Sequence, residues 1–158
     1  VKLAEGLEST RIVLITDAAG LDKGDVKRGL EVMARNNGEI WGKLDAGTEE
    51  YFKLVNRTNV KFERILNNLL ETSKVRPIII QSLFFKVHDE AMSEAELEAY
   101  CGRLRDITDG GGQIREVHLY TVARPTPETY ATKLEAIELE QMADMIRERA
   151  QLAVSVFP

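Results

Sequence analysis

The sequence predicts an α/β fold: a parallel sheet of about five strands with helices alternating between them. Two observations carry that expectation. Short runs rich in β-branched and apolar residues recur along the chain, and segments with an apolar period of three to four residues separate them. Strand–helix alternation repeated four times implies parallel strands joined by right-handed crossovers, with helices covering the sheet.

Taken in order, residues 11–16 (Arg-Ile-Val-Leu-Ile-Thr) read as a first strand ending in polar Thr16 and Asp17. Residues 25–36 read as a helix with Val26, Leu30, Val32 and Met33 as its apolar positions, stopped by Asn36-Asn37-Gly38. A second strand is expected over 39–45. A helical stretch begins at Thr48 and breaks near Arg57-Thr58-Asn59, and the helical period resumes through Phe62, Ile65, Leu66 and Leu69 to Thr72. Residues 76–85 form a third, strongly apolar strand. Ser93, with Glu96 three positions on, starts a helix running to about Asp109. Residues 113–122 form a fourth strand, and a long polar segment with Pro125 and Pro127 follows. A helix over about 134–150 and a short strand over 152–157 complete the pattern.

At 158 residues the chain suits a single domain with a real core, and no linker-like composition or internal repeat divides it. Twenty-six acidic against 21 basic residues, spread along the chain, provide no general field for nucleic acid. No apolar run approaches the roughly 18 residues of a membrane-spanning helix, so no membrane partner is expected. A single cysteine, Cys101, excludes an internal disulfide framework and any multi-cysteine metal site, and suits a reducing cytoplasm. The opening Val1-Lys2-Leu3-Ala4-Glu5-Gly6-Leu7 reads as the tail of a helix, and the closing Val154-Ser155-Val156-Phe157-Pro158 follows directly on a strand. Those ends suggest an excised or processed piece of a longer protein.

Doubly wound sheets and barrels both place ligands at the C-terminal ends of their strands, and periodicity alone does not choose between them. That edge carries Thr16 and Asp17 on the first strand, and Lys43 and Asp45 on the second, sharing a face with Trp41. It carries Gln81 and Ser82 on the third, and His118, Tyr120 and Thr121 on the fourth, with Arg124 beyond. Lys43 and Asp45 form either an internal ion pair or a ligand pair. Gln81, mid-strand in an apolar run, needs partners that a parallel core seldom offers. Thr16 and Asp17 also suit a turn and its cap. His118 and Tyr120 share a face and Thr121 takes the other.

Other signals are read as structural. Gly110-Gly111-Gly112 follows a helix and precedes a strand, the reverse of a phosphate-cradling order, so it is a helix stop. His88 and His118 lack ligand spacing. Cys101 is expected as a buried filler, and Glu94, Glu96 and Glu98 as a solvated helix face.

The wording at the strand ends resembles a bacterial branch of the radical S-adenosylmethionine (SAM) proteins. The residues concerned are Trp41-Gly42-Lys43-Leu44-Asp45-Ala46-Gly47-Thr48, Asn56-Arg57-Thr58, Ile80-Gln81-Ser82-Leu83-Phe84 and Tyr120-Thr121-Val122-Ala123-Arg124-Pro125. The resemblance covers nearly the whole chain, and the order and spacing of the motifs are more specific than any one of them. Thr16-Asp17-Ala18 departs from that family's usual Thr-Asn-Gly, which puts a role for Asp17 in doubt.

The resemblance implies the C-terminal part of a partial (β/α) TIM-type barrel. In that family a four-iron, four-sulfur cluster sits on a Cys-x3-Cys-x2-Cys loop after the first barrel strand. Its open iron binds SAM, and reduction releases a 5′-deoxyadenosyl radical that abstracts hydrogen from the substrate. This chain has neither that loop nor the Gly-Gly-Glu-like motif after the second strand. It is therefore expected to bind no cluster, to be inactive alone, and to pair with the N-terminal part of its own barrel.

By resemblance Lys43, Asp45 and Gln81 approach the ribose and carboxylate of SAM, with Thr16 also on the cofactor side. Tyr120 and Thr121 lie nearer the adenine, and Arg124 meets the substrate or a structural ion pair. A first strand without its neighbour leaves residues 12–16 as an exposed edge suited to homodimerisation. Two readings compete: a self-contained α/β module binding an anion or nucleotide, and a non-catalytic protein that recruits a partner through its sheet edge.

Overall fold

The computed structural model describes residues 9–124 and 126–158. The expected helix tail over 1–7 and Pro125 therefore lie outside the described residues. Five parallel strands form one sheet: β1 (Ile12–Thr16), β2 (Gly38–Lys43), β3 (Ile78–Leu83), β5 (Ile114–Tyr120) and β7 (Val154–Phe157). Between them run α1 (Gly24–Ala34), α2 (Glu49–Asn56), α3 (Phe62–Val75), α4 (Glu94–Asp109) and α5 (Ala136–Ala150). A pair not anticipated from the sequence, β4 (Lys86–Val87) and β6 (Ala131–Thr132), joins antiparallel in a separate two-stranded ribbon. Two-residue strands carry too few residues to show a period.

The strands lie side by side in chain order, β1-β2-β3-β5-β7. Crossovers of one hand that always advance in one direction put every helix on the same face of the sheet. The core follows that geometry. Ile40, Leu44, Ile78, Ile80, Val117 and Leu119 point into the helical layer, where they meet Leu69, Leu104, Leu139 and Ile146. Their strand neighbours Glu39, Trp41, Lys43, Ile79, Gln81, His118 and Tyr120 alternate to the opposite face, which no helix among the described residues covers.

Helix ends follow local chemistry. Thr48 caps α2 by accepting from the Tyr51 N–H, and Arg57 closes it in a left-handed conformation at φ 49°. Ser93 caps α4 through the Glu96 N–H, and Gly111 turns the chain after it at φ 88°, the helix stop expected of the triple glycine. α1 is the least buried helix. Leu30 alone of its residues is fully buried and Val32 is exposed, because α1 packs beside the outermost strand and has a neighbour on one side only. β2 ends at Lys43, two residues short of the expected 45, where the chain turns toward α2. Among the described residues no strand pairs with the outer edge of β1, and no helix is long and apolar enough to cross a membrane.

Candidate functional site

Parallel register sorts the candidate residues by face. Lys43 pairs with Gln81, Gln81 with His118 and His118 with Ser155, so these four form one row across the uncovered face. Tyr120 stands one step further along the strands, between Leu83 and Phe157. Within the row, His118 packs edge-on against Trp41 below it at 4.7 Å and against Phe157 above it at 5.3 Å between ring centres. Its Nε2 lies 3.3 Å from Glu116, whose other oxygen accepts from the Ser155 hydroxyl. That hydroxyl, ahead of burial and the His118 contact, leaves the Glu116 carboxyl below its ordinary range.

Lys43 is the centre of the upper part. Its Nζ donates to the Tyr120 hydroxyl at 3.0 Å and lies 3.6 Å from Asp45 Oδ2. Burial pulls the Lys43 pKa down, but the Asp45 charge and the Tyr120 oxygen together outweigh it, and the ammonium titrates above its ordinary value. Asp45 sits just past β2, almost fully buried, and its acceptors are occupied. Oδ1 accepts from the Leu83 N–H at 2.8 Å, and Oδ2 from Asn56 Nδ2 at 2.9 Å. Asp45 makes the internal ion pair with Lys43 that is one of the two readings the sequence allows, and it also ties β2 to β3 and α2. Gln81, half-buried rather than buried, makes no side-chain hydrogen bond with a described residue.

Thr16 and Thr121 are elsewhere. Thr16 pairs with Gly42, whose absent side chain would run into Leu69 of α3, so Thr16 faces the helices. It accepts from the Ala18 N–H, and Asp17 accepts from the Ala19 N–H, which is the turn-and-cap role. Thr121 is buried on the helical side and accepts from the Leu134 N–H. The geometry brings Lys43, Asp45, Gln81 and Tyr120 together, and places Thr16 and Thr121 behind the sheet. Arg124 is exposed in the loop after β5.

The loop that carries Asp45 is held from α4. Glu96 is buried, contrary to its expected place on a solvated face. Its carboxylate accepts from Gly47 N at 2.6 Å, Thr48 N at 3.0 Å and the Thr48 hydroxyl at 2.6 Å. A negative group there also suits the N-terminus of α2. Gly47 has to be glycine, since a Cβ would overlap the backbone of Ala99 and Tyr100. The Ser82 hydroxyl donates to Leu44 O at 2.6 Å and meets the Tyr100 hydroxyl at 2.7 Å. Burial, and then the Glu96 charge, push the neighbouring Tyr51 phenol up to about 12. Glu96 escaped notice because Ser93-x-x-Glu96 is complete as a local cap, and the sequence does not show that the Glu side chain reaches across the domain instead.

No protein-family model matches this chain, and no curated protein matches it.

Beside Lys43, a cleft of about 100 Å³ opens between the β1–α1 loop, the end of β2 and the α2–α3 corner. Asp17, Lys43, Asp45, Asn56 and Thr58 supply its polar wall, and Phe52, Val60 and Ile65 its apolar one. Asn56 Oδ1 is shielded from solvent and accepts no hydrogen bond. A buried acceptor left so costs about 1–3 kcal/mol.

Proposed function

We propose that this chain is the C-terminal part of a radical SAM barrel, lining the far wall of the SAM pocket and most of the substrate side, and without activity of its own. The observation that supports this reading most is the one-sided sheet. Strands in sequential order with all helices on one face are the arrangement of a (β/α) barrel wall, in which the uncovered face is the interior. Polar side chains gather on that face toward the C-terminal strand ends, where barrels bind ligands, and the quoted motifs supply them.

The resemblance implies two groups, the cluster and SAM. The cluster does not fit: three thiolates are needed, and the lone Cys101 is buried in α4, with burial holding its thiol up at about 11. No step of cluster chemistry is therefore assigned to these residues. SAM does fit the uncovered face. Lys43 and the unpaired Gln81 amide suit its carboxylate and ribose, Tyr120 suits the adenine side, and Arg124 is free for substrate at the mouth. Asp45, with its acceptors taken, acts by holding Lys43. The natural partner is the N-terminal part of the same barrel, added along β1, and a reducing cytoplasm suits the free thiol.

The test is a residue-resolved titration of the ¹⁵N-labelled chain with SAM. Shifts are expected at Lys43, Gln81, His118 and Tyr120, reduced in Gln81→Ala. Shifts confined to the helical side, or an upstream reading frame without the Cys-x3-Cys-x2-Cys loop, would overturn the proposal.

A further inference from the structure

We infer that Arg115 is a positioning residue that closes the lower end of the uncovered face. It crosses β3 to grip Glu39, and through Glu39 it fixes Trp41 as a floor beneath Lys43, Gln81 and Tyr120. A ligand that enters from the C-terminal strand ends then stops at Trp41 and His118. That consequence rests on the uncovered face being the ligand side, as proposed above; the floor itself stands without it.

The register carries the first step. Ile78 pairs with Ile114 and Ile79 with Glu116, so the ladder between β3 and β5 shifts there and Arg115 is left over as a bulge. By alternation alone Arg115 would join Val117 and Leu119 toward the helices. The extra residue frees it from that alternation, and its guanidinium pairs instead with Glu39 Oε1 on β2. β3 lies between β2 and β5, so the Arg115 side chain has to pass over β3 to arrive there. Ile79 of β3 is only 4% exposed on a face that no described helix covers, as a side chain laid across it requires.

Glu39 carries the second step. Its side chain is nearly buried although both arginines that hold it, Arg11 and Arg115, are exposed, so the carboxylate lies under their stems. Its Oε2 accepts from Trp41 Nε1 at 2.9 Å and from Arg11 at 3.3 Å, which leaves both oxygens engaged. Trp41 is thereby held by its edge, with its ring against His118, and His118 stands in the row with Lys43 and Gln81. Arg11 and Arg115 bring Glu39 the same charge. Arg11 reaches it from the neighbouring strand, whereas Arg115 crosses a strand, and that difference separates a floor from a mere balance of charge.

Trp41 is the only tryptophan of the sequence, so it reports on the floor directly. Arg115→Ala, Arg115→Lys and Arg11→Ala are compared with the parent chain by acrylamide quenching of Trp41 fluorescence and by exchange of the Trp41 indole N–H with water in ¹H–¹⁵N NMR. Circular dichroism shows that each is folded. Arg115→Ala is expected to raise the quenching constant about twofold or more and to speed indole exchange about fivefold or more. Arg115→Lys, which keeps the charge and most of the stem, should recover at least half of each change, and Arg11→Ala should move each less than half as far. Should Arg115→Ala not fold, Arg115→Gln takes its place under the same expectations. A brace that served stability alone would lower the urea midpoint and leave Trp41 of the folded chain unchanged. That result, or equal effects of the two alanine variants, would overturn the floor. With SAM as the probe on the parent chain, the Trp41 indole peak is expected to shift while the Ile114 and Arg115 amides stay in place; shifts at those two amides would put the ligand below the floor and overturn it. A chain that showed no SAM shift anywhere would count against the proposed function alone, because quenching and exchange are read without ligand.

Discussion

Replacing Glu96 tests whether the buried carboxylate locks the Asp45 loop to α4. Glu96→Ala removes the acceptor of two backbone donors and one hydroxyl, and leaves the Gly47 and Thr48 N–H groups without partners. Each buried donor left unsatisfied costs about 1–3 kcal/mol. Gly47 is buried and Thr48 only half so, which allows water to reach the second donor. The expected loss is therefore about 3–4 kcal/mol. Glu96→Gln keeps an oxygen for the two N–H groups and loses only the charge assistance and the Thr48 contact, an expected loss of about 1–1.5 kcal/mol.

Urea unfolding followed by circular dichroism separates the two. With a slope of about 2 kcal/mol/M, the midpoint should fall by about 1.5–2 M for alanine and by about 0.5–0.8 M for glutamine. A glutamate that merely sat on a solvated face would move neither by more than about 0.5 kcal/mol. That outcome, or equal losses for the two variants, would refute the lock. In Glu96→Ala the amide exchange of residues 44–48 should also accelerate ahead of the β3 and β5 amides, since the lock acts on that loop first.

Two further outcomes follow. The Lys43 pKa is raised in the folded state, so its contribution to stability is fully present below its unfolded value near 10.5 and is lost as pH rises through the folded value; Asp45→Asn removes the raising charge and leaves burial dominant, so ε-ammonium NMR should show Lys43 titrating lower than in the parent chain. The free edge of β1, with Val13 and Ile15 exposed, should promote weak self-association that rises with concentration in sedimentation velocity; Ile15→Lys should abolish it, and a chain monomeric at millimolar concentration would remove the edge from consideration.

The fold was legible because its signals are local. The runs at 12–16 and 78–83 are short, apolar and β-branched, and the caps at Thr48 and Ser93 lie three residues from the donors they meet. Strict alternation put Lys43 with Asp45 on one face of their strand and His118 with Tyr120 on one face of theirs; the register that brings these faces together is seen only in the structure. Other placements rest on information that alternation does not carry. Which face Thr16 takes depends on its register with Gly42, and the fate of Thr121 depends on Leu134, thirteen residues away across an irregular segment. Asn56 and Glu96 act through contacts of 11 and 49 residues' separation that leave no mark on local periodicity.

One topological fact connects the site to the chain's exposed surface. Winding in a single direction covers one face with five helices and leaves the other bare, so the bare face must either be occupied or carry its own satisfaction. Its lower half does the second. Glu39, nearly buried, accepts from Trp41 Nε1 at 2.9 Å and from Arg11 at 3.3 Å, and pairs with Arg115 as well, joining β1, β2 and β5 across the floor. Trp41 and His118 pack edge-on above it. The upper half does not. Gln81 makes no side-chain hydrogen bond with a described residue, Lys43 keeps a proton beyond those facing Tyr120 and Asp45, and Phe157 is exposed. Among the described residues the face is thus self-satisfied at the N-terminal ends of its strands and keeps polar groups open at the C-terminal ends. The same contrast sets the order in which substitutions should matter. Changes at Glu39 should act on stability, and changes at Gln81 should leave the fold intact and act on whatever the upper half receives.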